Sequence, residues 1–134
     1  MLTPPEEPAP HHRFSIFARL KSFTYAGRGL RALVQDEHNA WLHLAASLMA
    51  LAAGFLLQIS IAGWRWLVLA IAIVWLAEAF NTAIEEACDY INPEFDRAIG
   101  RIKDLAAGGV LIASIAAALI GLLTLAPPLL ARIL

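Results

Sequence analysis

The stretch Ala77–Asp104, AEAFNTAIEEACDYINPEFDRAIGRIKD, begins inside one apolar run and stops just before another. It carries Glu78, Glu85, Glu86, Asp89, Glu94, Asp96 and Asp104, most of the chain's 11 acidic residues. At about 100° per residue, a helix over 77–90 brings Glu78, Asn81, Glu85 and Asp89 into one arc of roughly 80°. A rise of ~1.5 Å per residue sets Glu78 roughly 10 Å deeper along the axis than Glu85. A polar stripe therefore climbs from the interior of an apolar helix to its end. Such a stripe calls for a cationic partner: a bound metal, a lysine or an arginine.

The rest of the chain supplies the apolar setting. Of 134 residues, 60% are hydrophobic, and the mean hydropathy of +0.66 is too high for a soluble domain of this size. The apolar residues come in three long blocks, and the first starts near Ala40, too far in for a secretory signal peptide. The chain is predicted to be an all-α membrane protein with three transmembrane helices, about 40–59, 64–86 and 105–125, each long enough to cross. An N-terminal amphipathic surface helix precedes them. In 14–35, Ile16, Leu20, Phe23, Gly27, Leu30 and Val34 recur at steps of three and four, and Arg19, Lys21, Arg28 and Arg31 supply basic character suited to a membrane interface. The Pro-rich residues 1–13 are expected to be a disordered tail, and 14–134 a single integral-membrane domain.

Between the blocks lie polar punctuation marks. Residues 36–39 read as a hinge, 60–65 as a turn containing Gly63, and Asn92–Pro93 as a turn opening a polar linker. Pro127–Pro128 is predicted to end the third helix. Arg13, Arg19, Lys21, Arg28 and Arg31 precede the first span, and Arg97, Arg101 and Lys103 lie between the second and third; only Arg65 and Arg132 fall on the other side. This asymmetry predicts a cytoplasmic N-terminus and an external C-terminus. The acidic stripe then opens toward the cytoplasm.

A glutamate within a span is expensive and marks function by default. The bland alternative for Glu78 is a structural carboxylate paired with Arg28 or Arg31, or a protonated and hydrogen-bonded one. Asn81 and Glu85 favour function, because a solitary structural glutamate needs no continued stripe. Glu85, Glu86 and Glu37 offer oxygen ligands at the interface, and magnesium is held by one or two carboxylates together with substrate phosphates. His43, near the start of a span, reads equally as a histidine bonded to a neighbouring helix. Adjacent His11 and His12 read as solvated. The lone Cys88 excludes an internal disulfide and reads as a small packing residue. No P-loop, kinase glycine-rich loop or zinc-type Cys/His spacing occurs.

The run Glu78-Ala-Phe-Asn81-Thr-Ala-Ile-Glu85, with Asp89 and then Lys103-Asp104-Leu-Ala-Ala-Gly, resembles the signature of the prokaryotic diacylglycerol kinase / undecaprenol kinase family. Gly29-Leu-Arg31 and Glu37-His-Asn39-Ala-Trp-Leu-His43 fit as well, so that the likeness spans roughly Phe23 to Ser114. It implies a lipid kinase of the bacterial cytoplasmic (inner) membrane, transferring the γ-phosphate of ATP to a lipid alcohol. It implies Mg2+ and a homotrimer with active sites shared between subunits, and no nucleic-acid partner. By residue, it implies Glu78 as general base with Asn81 orienting the reacting groups, and Glu37 and Glu85 as metal ligands. Lys103, Asp104 and Glu94, with Glu37 and Glu85, would meet the nucleotide; Glu78, Arg31 and His43 would meet the lipid. The family usually has Tyr-His where this chain has Phe95-Asp96. The diacylglycerol branch tends to carry a carboxylate at the position of His43, which tilts the expectation toward undecaprenol. The competing expectation is a non-enzymatic membrane subunit with a structural or proton-carrying Glu78.

Overall fold

A computed structural model describes residues 16–36 and 38–134. The helices run α1 (Ile16–Asp36), α2 (His38–Leu57), α3 (Ile61–Ile91) and α4 (Arg97–Ile133), with no strand among the described residues. Three of them, α2, α3 and α4, are long and apolar enough to cross a membrane. The expected disordered tail and Glu37 lie outside the described residues.

Each break in helix has a local cause. After α2, Gln58 takes a positive φ of 53°. Ser60 then caps α3, its Oγ accepting the Gly63 N–H at 3.3 Å. The predicted turn over 60–65 is therefore shorter than expected, and α3 begins at Ile61, ahead of the expected start of the span at 64. Gly54 matters to this corner, because a Cβ there would stand 3.0 Å from the Trp64 ring. That close approach seats Trp64 on Phe55, with ring centroids 4.6 Å apart.

At the other end, Asn92 Oδ1 accepts the Glu94 N–H at 3.0 Å, the tight Asx turn that suits Asn before Pro. Asp96 Oδ1 accepts the Ala98 and Ile99 N–H groups at 2.7 and 3.0 Å. Only residues 92–96 lie outside helix here, so Arg97, Arg101 and Lys103 stand on α4 rather than on a linker. The cap explains why: Asp96 satisfies two of the first amides and starts the helix early.

Pro127 and Pro128 do not end α4, which continues to Ile133. Each proline removes an N–H donor, but its ring fixes φ at about −65°, a helical value, so the helix can run on beyond the pair.

α3 is the centre of the bundle. It buries Leu67, Ala70, Val74, Glu78, Asn81, Thr82 and Cys88, whereas α4 buries only Ala113. Away from the bundle centre, Ile112, Ile115 and Leu119 of α4 stay exposed, surfaces that hydrocarbon accepts at no cost. On α1 the buried residue is Leu33, while Ile16, Leu20, Phe23 and Leu30 are exposed. At 31 residues, α3 is ~46 Å long. The hydrocarbon core is ~30 Å thick, so the acidic end of α3 overhangs it.

Candidate functional site

The helical period aligns Glu78, Asn81 and Glu85 on α3, and α2 and α4 close over that face. Together with His43 and Asn39 of α2 and Ser114 of α4, they line one cavity of about 300 Å3. Glu78 is only 1% exposed, the most deeply buried charged side chain of those described. Its Oε2 lies 3.5 Å from His43 Nε2 and has no hydrogen-bond partner. One turn on, the Asn81 amide Nδ2 donates to Glu85 Oε1 at 3.2 Å, leaving Asn81 Oδ1 buried and unpartnered. A cavity of such orphaned acceptors is arranged to receive donors or a cation from outside the chain.

An apolar cavity of about 260 Å3 adjoins the polar one. The two share His43 and Ser114, and the apolar walls include Ala46, Ala50, Ala70, Val74 and Leu122. A ligand with a polar head and a hydrocarbon body matches this pairing.

The bland alternative of Glu78 paired with Arg28 or Arg31 is not what the structure has. The neighbour of Glu78 is His43, while the Arg28 guanidinium lies 5.8 Å from the Tyr25 ring centroid. Arg31, Glu94 and Asp104 are exposed and line neither cavity. Lys103 donates to Asp89 Oδ1 at 2.6 Å, near the 92–96 connection. That bond with the Asp89 carboxylate pushes the lysine's pKa up from its ordinary value. Asp89, placed by the helical period in the same arc as Glu85, thus faces Lys103 instead of the cavity.

Two contacts escape a reading of the sequence alone. One is this Lys103–Asp89 pair; the shortness of the turn between two helical patterns was its only signal. The other is a cross-helix hydrogen bond from Trp75 Nε1 to Ser47 Oγ, 3.1 Å long. An indole in a span needs a partner for its N–H, but which one depends on helix register.

No group of three His, Cys, Asp or Glu that could hold a metal occurs among the described residues. The Glu85 carboxylate, holding only the Asn81 amide, still fits a hard divalent cation that brings phosphate oxygens with it.

The model of the prokaryotic diacylglycerol kinase family matches residues 24–125. An undecaprenol kinase of Bacillus subtilis (strain 168) is 36% identical over 118 residues, 88% of this chain and 96% of that protein. A diacylglycerol kinase of Synechocystis sp. is 34% identical over 112 residues, 83% of this chain and 64% of that protein. A diacylglycerol kinase of Escherichia coli (strain K12) is 32% identical over 98 residues, 73% of this chain and 80% of that protein. With a family match across most of its length and relatives above 30% identity covering it, the chain belongs to the prokaryotic diacylglycerol kinase family.

Proposed function

We propose that this protein is an undecaprenol kinase of the bacterial cytoplasmic membrane, transferring the γ-phosphate of ATP to the hydroxyl of the polyprenol. Membership of the family makes it a lipid kinase with an alcohol acceptor, and displaces the alternative of a non-enzymatic membrane subunit. The observation that carries the site is the near-complete burial of Glu78 in a cavity shared with Asn81 and Glu85 and open to an apolar one. The likeness to the Bacillus undecaprenol kinase supports the choice of polyprenol, as does His43 in place of a carboxylate.

Glu78 takes the proton of the lipid hydroxyl, whose oxygen then forms the new bond to phosphorus while ADP departs. Placement and charge neutralisation do most of the catalysis in such a transfer. Asn81 orients the reacting groups, and His43 and Arg31 contact the lipid. Glu85 and Glu37 hold Mg2+, which when bound neutralises charge on the phosphates. Lys103, Asp104 and Glu94 contact the nucleotide, Lys103 exchanging Asp89 for phosphate oxygens. The eight-to-two distribution of Lys and Arg supports a cytoplasmic N-terminus and an external C-terminus. The exposed apolar residues of α1 support its seat on the membrane surface. We assign a homotrimer with active sites shared between subunits, as the resemblance to the family implies.

The test is transfer of labelled phosphate from γ-labelled ATP into vesicles that hold undecaprenol or diacylglycerol. Labelled undecaprenyl phosphate is expected. No transfer to either lipid at saturating ATP and magnesium would overturn the proposal.

A further inference from the structure

Two contacts join α2 to α3 along one seam. His43 and Ser47 are four residues apart on α2, and Trp75 and Glu78 three apart on α3, so each pair occupies one helix face a single turn apart. Ser47 meets Trp75 just as His43 meets Glu78. The Ser47 hydroxyl donates back to the His43 carbonyl oxygen at 2.7 Å, and its oxygen accepts the Trp75 indole N–H at 3.1 Å. The acceptor end of one rung is thereby tied to the residue that forms the next.

The lower rung is loose. At 3.5 Å, His43 Nε2 and Glu78 Oε2 lie beyond the usual hydrogen-bond range but within electrostatic reach. A small rotation of α2 would part them or bring them together. Ser47 lines the apolar cavity, and its hydroxyl both donates to the His43 carbonyl oxygen and accepts from Trp75, so the upper rung is fully partnered. Among the described residues it is the side-chain hydrogen bond that joins α2 to α3.

We propose that Ser47 and Trp75 are positioning residues of the phosphotransfer site: their bond sets the rotation of α2 that holds His43 against Glu78 and orients the carboxylate toward the lipid hydroxyl. This rests on Glu78 as the base. Neither residue touches the reacting atoms; both act through the geometry of His43 and Glu78. Their loss therefore slows the chemical step and leaves substrate binding in place.

The experiment compares Ser47→Ala, Trp75→Phe, the double variant, Ser47→Thr and Glu78→Gln, each as the full chain in vesicles, with kcat and both KM values measured. Phe keeps the aromatic ring and Thr keeps the hydroxyl, which guards the comparison against simple misfolding. Each of Ser47→Ala and Trp75→Phe is expected to lower kcat on the order of tenfold, as misplacement of a reacting group does. The KM values for ATP and undecaprenol should stay within about twofold in the same variants. The double variant should be no slower than either single one, since both remove the same bond. Ser47→Thr should recover most of the rate. Wild-type kcat in both single variants, alongside an inactive Glu78→Gln, overturns the positioning role and leaves the base intact. A multiplied loss in the double variant also overturns it. An active Glu78→Gln instead removes the base itself, a separate failure.

Discussion

His43 Nε2 and Glu78 Oε2 face each other at 3.5 Å across the α2–α3 seam, with the carboxylate 1% exposed and the imidazole 18%. A buried carboxylate beside a single adaptable neighbour, at the mouth of an apolar cavity, is suited to moving a proton. It is poorly suited to a merely structural role, which would engage both its oxygens.

Replacing Glu78 by glutamine keeps the shape and removes the proton acceptor. Turnover should fall by about 100-fold or more, the range of general-base catalysis, while nucleotide binding measured at equilibrium is retained. Wild-type-like turnover would exclude Glu78 as the base.

Glu85→Ala and Glu37→Ala should each raise the magnesium concentration needed for half-maximal rate, by roughly tenfold, since magnesium is held by so few protein oxygens. Glu85→Ala also releases the Asn81 amide. A magnesium titration with the wild-type midpoint in both variants would show that neither carboxylate is a ligand.

Because the Asp89 carboxylate raises the pKa of Lys103, the sign of its pH effect is determined. Stability from this pair is fully present below the ordinary lysine value of ~10.4 and is lost as the pH rises through the folded value above it. Asp89→Asn should therefore lower the thermal midpoint slightly at pH 8, and the two proteins should converge as the pH rises through the raised lysine value. The same variant frees Lys103 for phosphate, and KM for ATP should drop on the order of two- to fivefold. An unchanged KM would argue that Lys103 does not reach the nucleotide.

Undecaprenol and diacylglycerol each present one primary hydroxyl, so the base and the metal do not tell them apart. Assayed side by side at equal surface concentration, undecaprenol should be phosphorylated at least as efficiently. His43→Glu should lower the undecaprenol rate relative to diacylglycerol by roughly tenfold, the worth of one well-placed polar contact. A clear wild-type preference for diacylglycerol would reverse the assignment.

Helical periodicity makes the shared face of Glu78, Asn81 and Glu85 legible before any coordinates, and the apolar blocks mark three helices long enough to cross a membrane. Register between helices is another matter. That His43 reaches Glu78, or Trp75 reaches Ser47, depends on how far α2 slides and turns against α3, and residue spacing carries no such information. Asp89 shows the limit from the other side: the period puts it in the stripe, but the turn at 92–96 delivers Lys103 to it first. The prolines of α4 mislead for a different reason. Each removes an N–H donor, but its fixed φ of about −65° is itself helical, and the helix runs on to Ile133.

The carboxylate of Asp96 has one more effect. The start of a long helix usually serves as a ready anion hole, its free amides and positive dipole end drawing in phosphate. In α4 the Ala98 and Ile99 amides are already taken by Asp96 Oδ1, and that helix end brings its own negative charge. A phosphate arriving at the 92–96 corner would meet a plugged socket there, and in the proposed reaction the nucleotide's charge would fall to side-chain cations and a metal, parts that can let go of the product.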